Sequence, residues 1–219
     1  MTRTTNARLA GFTFLFYIAV AFPSMVLFNR ATSGTGLAAQ LAGIARHAAD
    51  LRLAVVLSLG GCFSALVLAV TLYAITRDED PDLALLGLTC RVGEGLIGAA
   101  SIPATVALLQ LATATGQAAP DSAATQALAA FVLEQTPLVS ALFFAVGSTL
   151  FSWLLLRGRA IPIALARLGV LASVLLVVGL PLQLADVLHG PLTQLMWIPM
   201  AAFEIPLGFW LLLKGVARV

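Results

Sequence analysis

The sequence predicts an all-α integral membrane protein, a bundle of six transmembrane helices with a short outer interfacial helix. Three observations predict it. The 219-residue chain is 60% hydrophobic and only 10% charged, against roughly 45–50% and about 25% in an ordinary soluble domain. Its mean hydropathy is +1.01. Its apolar residues also gather into six runs of about the 20 residues that cross a bilayer, without the alternation of a transmembrane barrel strand. A soluble core of this chain length is too small to enclose so much apolar surface, so lipid must cover most of it.

The six helices are expected over residues 9–28, 53–75, 83–111, 137–156, 161–180 and 192–213, as one domain spanning residues 1–219. Arg3 and Arg8 precede the first, and Ala19-Val20-Ala21 could serve as a leader-cleavage motif. The apolar run nevertheless exceeds the roughly 7–15 residues of a signal-peptide core, so it reads as a retained span. Before the second helix, the loop 29–52 carries Leu37, Leu41 and Ile44 at helical spacing, interspersed with Gln40, Arg46, His47 and Asp50. That pattern predicts the short interfacial helix, with a lid over a cavity as the other reading.

Asp80-Pro81 has the form of an N-cap followed by a first-turn proline and opens the third helix. Gly116 to Pro120, with Asp121 and Ser122, separates the third helix from the fourth. Residues 123–136 are apolar but include Gln126, Glu134 and Gln135, so they extend the fourth helix beyond the lipid or lie against its surface. Pro162 and Pro191 mark the starts of the fifth and sixth helices. No internal repeat is evident, so an inverted-repeat transporter is not predicted.

The net charge of +2 gives no argument for nucleic acid; in a membrane protein the placement of basic residues matters more. With the N-terminus inside, Arg3, Arg8, Arg77, Arg157, Arg159, Arg167, Lys214 and Arg218 fall on one side, against Arg30, Arg46 and Arg52 on the other. The positive-inside rule then puts both termini in the cytoplasm. Arg157, Arg159 and Arg167 read as topology determinants in reach of anionic headgroups. The acidic run Asp78, Glu79, Asp80 and Asp82 reads as a solvated turn. The tryptophans 153, 197 and 210, with Tyr17 and Tyr73, read as interfacial anchors or packing residues.

Little conventional chemistry is visible. Cys62 and Cys90 lie inside apolar runs with no CxxC spacing, so they imply neither a disulfide framework nor zinc. His47 and His189 fall outside the spanning segments, which argues against haem ligation between helices. The pairs His47/Asp50 and Asp186/His189 could meet as a metal site but read more simply as exposed loop residues, so no metal or cofactor is expected. No GxSxG, HExxH or P-loop pattern occurs, and no nucleophile–base set points to an enzyme.

The informative residues are Arg91, Glu94 and Glu204, each well inside an apolar run. An ionisable side chain at mid-bilayer costs at least ~2.5–3.5 kcal/mol on insertion scales, so such groups face the bundle interior and find partners. Arg91 and Glu94, three apart, share a helical face with Gly87, Gly98 and Ser101, narrow enough for close helix contact. At 1.5 Å rise per residue, Glu94 and Glu204 lie about 15–16 Å from the same helix ends. The expected arrangement holds Arg91 between the two carboxylates, which requires the third and sixth helices to be adjacent. Pro199 and Pro206 bracket Glu204, and Pro103 follows Arg91 and Glu94; each proline removes a helical hydrogen bond and is expected to free the carbonyls of Leu195, Ala202 and Ala99. One Arg against two Glu leaves a formal charge of minus one, which a proton or cation would balance. The cluster thus reads as a proton relay, an ion site or the anchor for a small polar ligand. The alternative is a structural ion pair that fixes helix register, in a scaffold or partner-binding subunit.

Several stretches together resemble a known family. They are Arg8-Leu-Ala-Gly, Leu72-Tyr73, LALLGLTCRVGEGLIGA around Arg91 and Glu94, RGRAIPIALARLGVLAS, and FEIPLGFWLLLKGV, which carries Glu204, Trp210, Lys214 and Gly215. Arg52 fits as well, although the polar position shortly after it is apolar here, Ser58 being the nearest polar side chain. In these parts the chain resembles bacterial membrane proteins grouped as a domain of unknown function, DUF 4386. The resemblance implies a multi-helix domain of the bacterial inner membrane and carries over no activity.

Overall fold

The computed structural model describes residues 1–114, 123–134 and 138–217. No strand occurs among the described residues. The helices are α1 (Arg3–Ala31), α2 (Leu37–Arg46), α3 (Ala48–Thr76), α4 (Pro81–Ala100), α5 (Ile102–Thr113), α6 (Ala123–Glu134), α7 (Leu138–Arg157), α8 (Ile163–Leu184), α9 (Leu192–Leu195) and α10 (Ile198–Leu213). Six stretches are long and apolar enough to cross a membrane: Arg3–Ala31, Ala48–Thr76, Pro81–Thr113, Gln126–Arg157, Ile163–Leu184 and Leu192–Leu213. Only 22% to 44% of each apolar window is buried by protein. The remaining apolar surface, including Phe12, Phe63, Leu171 and Leu213, is exposed at a cost that only lipid removes. This is a multi-pass membrane protein.

The chain forms two compact units. The first comprises Met1–Ile18, Cys62–Ile97 and Leu138–Val219; the second comprises Ala19–Gly61 and Gly98–Pro137. In the first unit α8 packs on α7 and α10, around a core that includes Phe144, Phe151, Leu176, Phe203 and Leu207. Small residues set the closest approaches. A Cβ on Gly11 of α1 would lie 2.6 Å from the backbone oxygen of Gly208 in α10, so these helices touch backbone to backbone. One end of this unit is tied by polar contacts. Arg3 Nη2 donates to the Ile75 carbonyl at 3.2 Å, Arg157 Nη1 to Asp80 Oδ2 at 3.2 Å, and the Ala217 amide to the Ala160 carbonyl at 3.0 Å. Asp80 also caps α4, accepting from the Leu83 amide at 3.2 Å, as its place before Pro81 predicts. Gly215, with φ +73°, closes α10 in the left-handed conformation that favours glycine.

In the second unit α2 packs on α5 and α6, and α5 on α6. Leu41 and Ile44 of α2 are buried in a core with Leu51, Leu108, Leu109 and Ala129. The amphipathic stripe read from the loop is therefore a helix, and its apolar face is covered by protein. Ser24 Oγ, 2.9 Å from Ser58 Oγ, also donates to the Ala54 carbonyl at 3.0 Å, joining α1 to α3.

Two spans expected to be single helices are interrupted. The third divides at Ser101 into α4 and α5, and the sixth between α9 and α10 at Met196 and Trp197. The cause is the same. Pro103 and Pro199 lack an N–H and crowd the carbonyl four residues back, so the chain restarts with each proline in a first turn. There its missing donor would have gone unused anyway. Gly116, Pro120, Asp121, Ser122, Gln135, Thr136, Pro137 and Arg218 lie outside the described residues.

Candidate functional site

All three intramembrane ionisable residues are inside the first unit. Arg91 is 1% exposed, Glu94 5% and Glu204 6%. Arg91 and Glu94 project from the buried face of α4, which also presents Ala84, Gly87, Cys90 and Gly95. Glycines give the Arg side chain its room. A Cβ on Gly147 of α7 would stand 3.1 Å from Arg91 Cγ and 3.2 Å from its Cδ, and one on Gly95 would stand 3.0 Å from the Cys62 carbonyl oxygen of α3. The predicted stripe ends there. Ser101 is exposed and turns its hydroxyl onto the Gly98 carbonyl at 2.6 Å, because α4 stops at Ala100.

Each oxygen of Glu94 has a polar neighbour, although the buried Oε2 has no aligned hydrogen-bond donor. Arg91 Nη1 lies 2.9 Å from Oε2, and the Tyr17 hydroxyl of α1 donates to Oε1 at 3.1 Å. The Glu94 backbone carbonyl accepts from Ser140 Oγ of α7 at 2.9 Å. The Arg91 guanidinium carbon sits 4.9 Å from the Phe144 ring centroid and 6.0 Å from that of Tyr17, within cation–π range. Phe144 in turn packs on Trp197 at 5.9 Å, the residue that precedes α10.

The guanidinium is nonetheless poorly satisfied. Arg91 Nε, Nη1 and Nη2 are buried, and none has an aligned hydrogen-bond acceptor; the contact to Glu94 is close but bent away from hydrogen-bond geometry. Arginine carries five N–H donors in a fixed fork, and each donor buried without an acceptor costs about 1–3 kcal/mol or more for a charged group.

Glu204, on α10, lies within electrostatic range of Arg91 and Glu94, and of Tyr17. The two carboxylates predicted to lie at one depth are thus brought into one charged cluster. The expected bridging of Arg91 between them does not occur. Arg91 pairs with Glu94 on its own helix, three residues away, and Glu204 forms no ion pair within 4.0 Å among the described residues. Ala202 and Pro206, four apart on one helical face, are exposed while Glu204 is buried, so the carbonyl freed by Pro206 lies away from the cluster.

Sequence reasoning misses Tyr17 and Phe144 as site residues. Tyr17 reads as an interfacial anchor by residue type; its position near the middle of a 20-residue apolar run is the signal against that reading. Trp153 and Trp210 do stand exposed. His47 Nδ1 meets Asp50 Oδ2 at 3.2 Å, with Arg30 at 3.7 Å from the same oxygen, and His189 Nδ1 meets Asp186 Oδ1 at 3.1 Å. Each is a local i,i+3 pair. Among the described residues no group of three or more His, Cys, Asp or Glu side chains could hold a metal ion.

Compared with known families, residues 9–215 match the family model described as Domain of unknown function (DUF4386). No curated protein and no solved structure matches the chain.

Proposed function

The chain belongs to the DUF4386 family, and from that premise we propose that it binds or passes a small polar ligand, ion or proton at the Arg91, Glu94 and Glu204 cluster. The observation that supports this most is the guanidinium. Nε, Nη1 and Nη2 are buried without an aligned acceptor. A group meant only to tie helices together would be expected to spend its donors on protein carbonyls or carboxylates. Donors without an aligned acceptor, within electrostatic range of a carboxylate that has no ion pair, suit an occupant that offers both an acceptor and a positive charge or proton.

The same reading places the protein in the bacterial inner membrane with both termini cytoplasmic. The contacts among Arg3, Ile75, Asp80, Arg157, Ala160 and Ala217 gather the basic ends of the first unit together, and such ends face the cytoplasm.

A second reading, a structural lock, has its own support. Glu94 is ion-paired with Arg91 and hydrogen-bonded by Tyr17, and Gly147 and Phe144 fit closely about the Arg side chain. The two readings separate in a thermal-shift panel on the purified full chain. Protons, alkali cations, ammonium and small zwitterions are each titrated against wild type and Glu204→Gln. An occupant stabilises the folded state by about 2.7 kcal/mol at one hundred times its dissociation constant. A solute-dependent rise in Tm that disappears in Glu204→Gln supports the polar site. A Tm indifferent to every solute, and lowered equally by the variant in all of them, supports the lock.

A further inference from the structure

Resting on the polar-site reading above, we infer that the two buried carboxylates have different roles: Glu94 is the fixed counter-ion of Arg91, and Glu204 is the exchangeable site, whose occupant is a proton. The division follows from the geometry. Each Glu94 oxygen has a polar neighbour of its own, Oε2 in an ion pair 2.9 Å from Arg91 Nη1 and Oε1 3.1 Å from the Tyr17 hydroxyl. Glu204 is as deeply buried but has no ion pair within 4.0 Å among the described residues. Arg91 and Glu94 cancel each other, so the cluster's formal charge of minus one resides on Glu204.

A buried carboxylate without a partner is costly, and the neighbourhood limits what can neutralise it. Among the described residues, the groups within electrostatic range of Glu204 are Arg91 and Glu94 from α4 and Tyr17 from α1. A multivalent metal would need several oxygen ligands, whereas among the described residues no three candidate ligands come together. An anion would add to the existing negative charge. A proton needs only one carboxylate oxygen and no coordination shell.

The unused donors of Arg91 complete the arrangement. Nε and Nη2 can hold water oxygens, and water is the carrier that delivers and removes protons. In the loading step an O–H bond of a hydronium ion breaks, its proton forms a new O–H bond on a Glu204 carboxylate oxygen, and neutral water remains. The formal charge of the cluster passes from minus one to zero. Unloading is the reverse. Throughout, the Tyr17 hydrogen bond and the Arg91 ion pair hold the Glu94 side chain in place.

Infrared difference spectroscopy between acidic and alkaline buffer, on the full chain in lipid nanodiscs, tests the assignment. A protonated-carboxyl band that shifts in D2O is expected in the wild type. Glu204→Gln loses it, Glu204→Asp retains it, and Tyr17→Phe, which keeps both carboxyls, also retains it. Glu94→Gln leaves the Glu204 band present wherever that variant accumulates. A wild type without the band, or a band that survives Glu204→Gln, overturns the inference. If that happens while the solute-dependent Tm rise persists, the polar site stands and only the proton assignment falls; if the Tm rise is also absent, both fall.

Discussion

The Tyr17 hydroxyl reaches across from α1 to donate to Glu94 Oε1 at 3.1 Å, while Arg91 takes the other carboxylate oxygen at 2.9 Å. That hydrogen bond links residues 77 positions apart and ties α1 to α4 beside a charge that the membrane would otherwise penalise. Hydrogen bonds to charged groups contribute about 1.5–3 kcal/mol. Tyr17→Phe is therefore expected to lower the unfolding free energy by roughly that amount, measured by thermal or denaturant unfolding in detergent. An unchanged stability would mean that the hydroxyl is not holding Glu94.

Glu94→Gln alone strands a buried guanidinium, and removing one partner of a buried ion pair costs about 3–5 kcal/mol. Arg91→Met combined with Glu94→Gln removes both charges and should recover most of that loss, since a buried pair replaced by neutral groups of similar volume is often neutral overall. The double-mutant cycle gives the coupling energy. Additive losses would show that the 2.9 Å contact is energetically empty.

Gly11→Ala should destabilise by about 1–3 kcal/mol, because the new Cβ would lie 2.6 Å from the Gly208 carbonyl oxygen and backbone cannot swing aside as a side chain can. Thermal unfolding of the variant measures it. A neutral effect would indicate that α1 and α10 are not in backbone contact.

At the exposed end, Asp80 and Arg157 should differ although they touch each other. Arg157→Ala removes a solvent-exposed ion pair, expected to change stability by no more than about 1 kcal/mol. Asp80→Ala removes the same pair and also the cap on the Leu83 amide, for which about 0.5–2 kcal/mol is the usual loss. Equal effects on Tm would contradict the capping role.

These residues also mark how far the sequence could be read. The six spans and the burial of Arg91, Glu94 and Glu204 follow from hydropathy and insertion cost, quantities local to each segment, and the Asp80 cap follows from a local motif. What lies beyond depends on which helices meet. Tyr17 could be assigned to Glu94 only by knowing that α1 lies beside α4. Pro103 and Pro199 signal a disruption near Ser101 and Trp197, but a proline kinking a helix and one starting it look alike in sequence, so the form of the break is not legible. Matching depth assigns Arg91 to Glu204, but the arginine has a nearer partner a single turn away on its own helix. The α2 stripe was legible as a helix, whereas its covering by α5 and α6 required contacts among separate segments.

The central claim is that a charged, incompletely satisfied cluster sits inside the first unit and is completed by something other than protein. An experimental density map of the full chain in lipid, sharp enough to show ordered water, tests this most directly. The account predicts a non-protein feature within about 2.7–3.2 Å of Arg91 Nε or Nη2, continuing toward the Glu204 carboxylate. A map in which protein carbonyls or carboxylates accept from every Arg91 nitrogen, with Glu204 packed against apolar side chains, would contradict it.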